Sequence, residues 1–155
     1  MKIQVVVVGK VRGSLQEAVD EYERRASRYW KLEVVEVPGG AGRGAPPAEV
    51  MAAEAERIRA RLGRGLELVA MTREGKGMDS KGLADYLDRL GVRSSPGAAF
   101  IIGGAFGLAP DLVSSSRRTL SLSAMTLPHE MARLVLAEQL YRAGTILRGE
   151  PYHKG

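Results

Sequence analysis

The sequence predicts one α/β domain built on a mostly parallel five-stranded sheet, and three observations carry that reading. The opening run Ile3-Gln4-Val5-Val6-Val7-Val8 is continuous rather than alternating, the pattern of a strand covered on both faces. Short apolar runs then alternate with helical periodicity along the rest of the chain. The chain has 155 residues, 45% apolar and 26% charged, which suits a single unit spanning residues 1–155. At that size a fold buries roughly 70% of its extended surface without covalent staples.

Each element has its own signal. Gly9 closes the first strand. Ser14-Leu15-Gln16-Glu17 has capping-box spacing, and Leu15, Val19, Tyr22, Ala26 and Tyr29 then recur at helical steps. Leu32 to Val37 reads as a second strand ended by Pro38, and the Gly-rich stretch 39–46 after it has no apolar face to bury, so a mobile loop is expected there. Met51, Ala55, Ile58 and Leu62 mark a second helix whose other side, with Arg57, Arg59, Arg61 and then Arg64, reads as a solvated basic face or an RNA contact. Leu66 to Met71 is a third strand. Ser80 to Leu90 is a third helix with Leu83, Leu87 and Leu90 inward and Gly91 as its C-cap. Ala99 to Ile102 is a fourth strand, Pro110 opens a short helix, and Thr119 to Leu122 is a fifth strand. The longest helix runs from Pro128 to about Leu147, followed by a polar tail.

Composition excludes several classes. With no cysteine there is no disulfide framework and no thiolate metal site, which fits a reducing compartment. The longest apolar run is far too short to span a bilayer, and Met1-Lys2-Ile3 enters a strand directly with no secretory signal, so a cytoplasmic protein is expected. The 23 Lys and Arg against 18 Asp and Glu give a net charge of +5, a balance that favours polyanionic partners without specifying one.

In open α/β sheets ligands bind beyond the carboxyl ends of the strands. Three segments have that placement: Met71 to Gly75, Gly103-Gly104-Ala105-Phe106-Gly107-Leu108, and Leu122-Ser123-Ala124-Met125-Thr126-Leu127-Pro128. The glycine segment is neither the dinucleotide fingerprint nor a P-loop; read alone, it is a strand-to-helix turn needing positive φ. His129-Glu130-Met131-Ala132-Arg133 resembles the start of a zinc-protease H-E-x-x-H, but Arg133 replaces the second histidine, so no metal is expected. Neither a serine elbow nor a cysteine nucleophile is present. The stretch from Leu122 to Pro128 is extended, small and apolar, leaving its main-chain groups free to line a flat heteroaromatic ring. On the last helix Glu138, Tyr141 and Arg142 come together by the i, i+3 and i+4 rule, either as core packing with an ion pair or as part of a site.

The glycine segment, Leu120 to His129, Leu136-Ala137-Glu138-Gln139-Leu140-Tyr141-Arg142-Ala143 and the terminal Pro151-Tyr152-His153-Lys154 together resemble the bacterial ribosomal RNA large subunit methyltransferase H family. The likeness covers the whole chain, including the opening strand, Gly9-Lys10 and Glu21-Tyr22 with Arg25; it is weakest in the Gly39 to Pro47 loop and the arginine-rich second helix. It implies the SPOUT fold, whose carboxyl-terminal segment threads a loop to make a trefoil knot, a homodimer, and S-adenosylmethionine bound in the knot. The implied reaction is methylation of N3 of a pseudouridine in the helix 69 loop of 23S rRNA, on the large subunit or assembled ribosome. By motif, Met71, Gly103, Gly104 and Leu122, Ser123, Ala124, Met125, Thr126 and Leu127 would hold the cofactor. His129, Glu138 and His153 are the candidate bases, Arg142 and Lys154 the candidates for imide-anion stabilisation or phosphate contact. Tyr152 and His153 are expected to face the acceptor as the tail closes over the pocket, in the same chain or from a partner subunit. Two other readings compete, one using the same strand ends and one using the basic surface alone. A nucleotide- or flavin-binding protein would depend on phosphate at the Gly103 loop, and a noncatalytic ribosome-binding factor would leave the Leu122 to Pro128 stretch without a role.

Overall fold

The structure, a computed structural model, describes residues 1–153; Lys154, a candidate cation in the reading above, lies outside the described residues. The elements run β1 (Lys2–Val8), α1 (Ser14–Ala26), β2 (Lys31–Val37), α2 (Pro47–Arg61), β3 (Glu67–Met71), α3 (Ser80–Val92), β4 (Gly97–Ile102), α4 (Pro110–Ser115), β5 (Arg118–Leu120) and α5 (His129–Leu147), followed by a 3₁₀ turn at Pro151–His153. The strands form one sheet in the order β2-β1-β4-β3-β5, and each adjacent pair is parallel. An all-parallel sheet is covered on both faces, which is why β1 and β4 are buried along nearly their whole length while the edge strand β2 alternates.

Alternation within β1 assigns the two layers. Ile3, Val5 and Val7 face one core with Phe100 and Ile102 of β4, closed by α3, α5 and Ala26 of α1. Val6 and Val8 face the other, with Ile101, Ala55 and Ile58 of α2 and Leu112 of α4. Gln4 interrupts the apolar run at a buried position but is satisfied: its amide donates to Glu33 at 2.7 Å and to the Arg61 carbonyl at 3.0 Å, and accepts from Gly63 N at 2.9 Å. It thereby ties the end of α2 to the sheet.

Local details differ from expectation in ways the geometry explains. Ser14 is the first residue inside α1 and Gly13, at φ +69°, is its cap, so the Ser14 hydroxyl forms no capping box. The helix ends at Ala26, and Tyr29 packs from the turn beyond it. Gly91 sits inside α3, which continues to Val92; the left-handed residue is Ser94, at φ 57°. The front of α3 is capped by Asp79, which accepts from Gly82 N at 2.7 Å. β5 is only three residues long and stops at Leu120, releasing Leu122 from the sheet. The arginines of α2 are not simply a solvated face: Arg57 donates to the carbonyls of Pro38 at 2.8 Å and Gly40 at 2.7 Å, pinning the start of the glycine-rich loop, and Arg59 pairs with Asp111 at 2.8 Å.

Arg133, which broke the metal-ligand pattern, is a structural residue. It is buried on α5 and donates to Glu23 of α1 at 2.7 and 3.1 Å and to Glu36 of β2 at 2.6 Å. Burial alone disfavours its charge, yet the two carboxylates more than offset that and hold its pKa above the ordinary arginine value. Arg133→Ala leaves those carboxylates facing each other without their cation, and a loss of about 3 kcal/mol in urea unfolding is expected. A loss below about 1 kcal/mol would show that the fork contributes little to the packing of α1 on α5.

Candidate functional site

A cavity of about 1210 Å³ opens beyond the carboxyl ends of the strands. Its walls come from the end of β1 (Val8 and Gly9), the residues after β2 (Gly39 and Gly40), Met71 to Glu74 at the end of β3, Ile102 to Leu108 at the end of β4, and Leu120 to His129, apart from Ser121 and Ala124, at the end of β5. Chain connections explain why it lies there. β1 leads to β2 on one side while β4 leads to β5 on the other, so the crevice between the ends of β1 and β4 is the sheet's switch point. A volume above the usual range of roughly 300–1,000 Å³ for small-molecule sites leaves space for more than one group.

The predicted cofactor residues are brought together here. Met71, Gly103, Gly104, Leu122, Ser123, Met125, Thr126 and Leu127 all line the cavity; Ala124 lies in the same segment but does not. The segment follows the loop after β3: Thr72 N donates to the Leu120 carbonyl at 3.0 Å, Ser121 N to that of Lys76 at 3.0 Å, and Arg73 to the Thr126 hydroxyl at 2.8 Å. Among the described residues no bond between main-chain groups involves residues 122–127, and the Met125 amide donates to the Ser123 hydroxyl. The extended stretch therefore keeps main-chain groups available for a ligand.

The glycines owe their identity to the loop itself. A Cβ on Gly103 would stand 2.7 Å from the Gly107 carbonyl carbon and 2.9 Å from Leu108 N, so the turn closes only around glycine. On Gly104 it would meet Val8 at 3.0 Å and both Glu54 carboxylate oxygens at 3.1 Å. Of the loop's glycines, Gly107 has the positive φ, 81°, that sequence reading attributed to the turn in general.

The predicted catalytic residues divide into two groups. His129 lines the cavity, with its Nε2 at 3.3 Å from the Lys10 carbonyl and its ring packed against Gly9. Glu138, Arg142, Tyr152 and His153 do not line it. The rise of α5 places Arg142 roughly 15 Å further along the helix than Ala132 at the cavity wall. Glu138, Arg142 and Tyr152 form a second cluster: Arg142 pairs with Glu138 at 2.7 Å, and the Tyr152 hydroxyl donates to the same Glu138 oxygen at 2.7 Å. Glu138 accepts a further bond from Gln139 at 2.8 Å, so its carboxylate serves as the anchor of the tail. Burial and then the Glu138 bond raise the Tyr152 pKa well above the ordinary tyrosine value, keeping its phenol a proton donor.

Aromatic contacts complete the docking of the tail. Tyr152 stacks 4.5 Å from Tyr141, Tyr29 donates to Glu150 at 2.6 Å, and Arg148 lies 4.7 Å over the Tyr29 ring. The tail thus packs on α5 and the α1 turn instead of closing over the cavity of its own chain. His153 Nδ1 is buried and finds no hydrogen-bond partner among the described residues.

Glu54 escaped sequence reading. Its carboxylate is buried at the cavity wall, with Oε2 accepting from Gly40 N at 2.9 Å and Oε1 unpaired. The signal was present: Val50, Glu54 and Ile58 fall at four-residue steps, a carboxylate on the apolar stripe of α2. Among the described residues no group of three or more His, Asp or Glu could hold a metal ion, and no helix is long and apolar enough to cross a membrane.

Comparison with known proteins decides the family. A family model described as "Predicted SPOUT methyltransferase" matches residues 1–153. A protein of Gemmatimonas aurantiaca named ribosomal RNA large subunit methyltransferase H is 47% identical over 155 residues, covering 99% of this chain and 100% of the relative. The chain belongs to this family. Relatives of the same name from Anaeromyxobacter sp. and Acetivibrio thermocellus are 44% and 40% identical, again over 99% of this chain. In fold alone, the chain is similar to a probable methyltransferase from Bordetella pertussis Tohama I, with TM-score 0.55, 16% identity, and 92% and 95% of the two chains covered.

The chain is thus a SPOUT-class methyltransferase of the large-subunit rRNA type, and that class depends on S-adenosylmethionine. The cavity fits such a group: it has an apolar lining from Met71, Leu122 and Leu127, a segment 122–127 that forms no bond between main-chain groups among the described residues, and a buried polar end at Glu54.

Proposed function

We propose that this chain, as a single domain of residues 1–155 working as a cytoplasmic homodimer, methylates N3 of a pseudouridine in the helix 69 loop of 23S rRNA on the ribosome. The observation that carries the reading is the full-length identity to relatives named for large-subunit rRNA methylation. The trefoil knot of the fold class is supported by the way segment 120–126 runs along the loop after β3, through the bonds from Thr72, Ser121 and Arg73. A dimer is supported by the outer face of α5, where Met131 is exposed and Leu134 and Val135 are half-buried.

Residues Met71, Gly103, Gly104 and 122–127 hold the cofactor, most of them as cavity walls and Ala124 through the main chain. When bound, the cofactor supplies a sulfonium methyl already activated for in-line displacement, its sulfur leaving as a neutral thioether. The protein's task is mainly to orient the acceptor nitrogen. The N3–H bond of the pseudouridine breaks as the N3–methyl bond forms, and its proton needs an acceptor. His153 takes that proton, with His129 at the cavity as the other candidate base. Glu138 positions Tyr152, and Arg142 and Lys154 supply positive charge for the developing imide anion or for phosphate. The packing of the tail away from its own cavity supports a reading in which the tail of one protomer serves the cavity of the second.

Calorimetric titration with S-adenosylhomocysteine, which carries no phosphate, tests the cofactor assignment. Binding at one site per chain, not displaced by inorganic phosphate, is expected. Absence of binding, or displacement by phosphate, would favour the nucleotide-binding alternative.

A further inference from the structure

Glu54 is a buried carboxyl group with no cation of the protein beside it among the described residues. The residue is only 4% exposed, its Oε1 has no partner, and among the described residues no Lys, Arg or His lies within ion-pair distance of it. Its neighbour Arg57 is committed elsewhere, to the carbonyls of Pro38 and Gly40. Burying a carboxylate without a cation is costly, and such a group persists where something completes it. Its position shows where that partner sits. Gly39 and Gly104 pack against the carboxylate, where a Cβ on either would approach an oxygen at 3.3 or 3.1 Å, and the residue borders the cavity on its remaining side.

The carboxylate stands at the switch point between β1 and β4, beside Val8 and Gly104, whereas Met71 and Leu122 lie toward β3 and β5. A ligand seated on residues 122–127 and extending past the Gly103 turn brings its far end to Glu54. A neutral hydroxyl or base N–H donor would pair one oxygen of a carboxylate; a cation would pair the oxygen and balance its charge as well. On the reading above that the cavity holds S-adenosylmethionine, we propose that Glu54 binds the α-ammonium group of the cofactor's amino-acid moiety, as a cofactor-positioning residue. Glu54→Gln keeps the shape and the acceptor for Gly40 N, so it removes the charge and little else.

The test is equilibrium binding to the full chain of S-adenosylhomocysteine, of 5′-methylthioadenosine, which lacks the amino-acid moiety, and of the deaminated homocysteine analogue. Glu54→Gln is expected to weaken S-adenosylhomocysteine about tenfold to a hundredfold, as for loss of a charged hydrogen bond, while methylthioadenosine binding stays within about twofold. That retained binding also shows that the variant is folded. The deaminated analogue, needing no variant, is expected to bind the wild-type chain weaker than S-adenosylhomocysteine by the same factor. Equal loss of all three ligands in Glu54→Gln, no loss of any, or full-strength binding of the deaminated analogue to wild type would overturn the proposal. So would slower methyl transfer with unchanged S-adenosylhomocysteine affinity, which assigns the carboxylate to the acceptor base. Failure of the wild-type chain to bind S-adenosylhomocysteine at all would instead remove the cofactor reading on which the proposal rests.

Discussion

Replacing Gly97 with alanine is expected to cost at least about 4 kcal/mol, enough to leave much of the chain unfolded at 37 °C. Gly97 begins β4, pairs with Lys2 of β1, and has φ +145°. An added Cβ would stand 1.7 Å from the Lys2 carbonyl oxygen and 2.7 Å from its carbon, so the two central strands must separate to accept one methyl group. The neighbouring Lys2 N to Pro96 O bond, 3.0 Å, is broken by the same movement. Gly91→Ala supplies the contrast. Gly91 lies inside α3 with nothing within 4 Å of an added Cβ, and alanine there is expected to stabilise the chain by about 0.5–1 kcal/mol. Thermal or urea unfolding of both variants reads the two signs; a Gly97→Ala chain as stable as wild type would contradict the register of β1 on β4.

The second large effect concerns the reaction. His153→Ala is expected to lower the single-turnover rate of methyl transfer by about a hundredfold or more, the scale of a lost general base, with S-adenosylhomocysteine affinity within about twofold of wild type. The geometry separates these two readouts: His153 follows Tyr152, which is held by Glu138 and Tyr141, and it does not line the cavity. Mixed dimers sharpen the point. If one protomer's tail serves the other's cavity, His153→Ala chains mixed with chains defective in cofactor binding should regain activity. A near-normal rate for His153→Ala with cofactor affinity unchanged would remove the histidine from the chemistry and leave His129 as the remaining histidine base.

Strand and helix order was legible in the sequence because parallel strands buried on both faces leave continuous apolar runs, and β1 and β4 are unambiguous examples. Element ends were less legible. Gly13 replaced Ser14 as the cap of α1, and α3 ran through Gly91, because end positions are decided by backbone geometry that several residues can satisfy. The strand-end cavity followed from topology, and residues 123–127 announced themselves by having neither strand nor helix pattern. Two features were hidden. Arg133 read as a broken metal motif, although its partners Glu23 and Glu36 are about a hundred residues away in sequence and only the fold assembles them. Glu54 was masked by a helix rich in charge, where one buried carboxylate looks like its exposed neighbours until the stripe through Val50 and Ile58 is followed. The separation of the tail from its own cavity is a three-dimensional fact with no counterpart in residue spacing.

The most direct measurement is methyl transfer from labelled S-adenosylmethionine to intact ribosomes lacking the modification, set beside ribosomes carrying uridine in place of the target pseudouridine. Label confined to 23S rRNA of the pseudouridine-containing ribosomes is the predicted result. No label on either, despite cofactor binding, would contradict the assigned acceptor while leaving the sheet and its cavity in place.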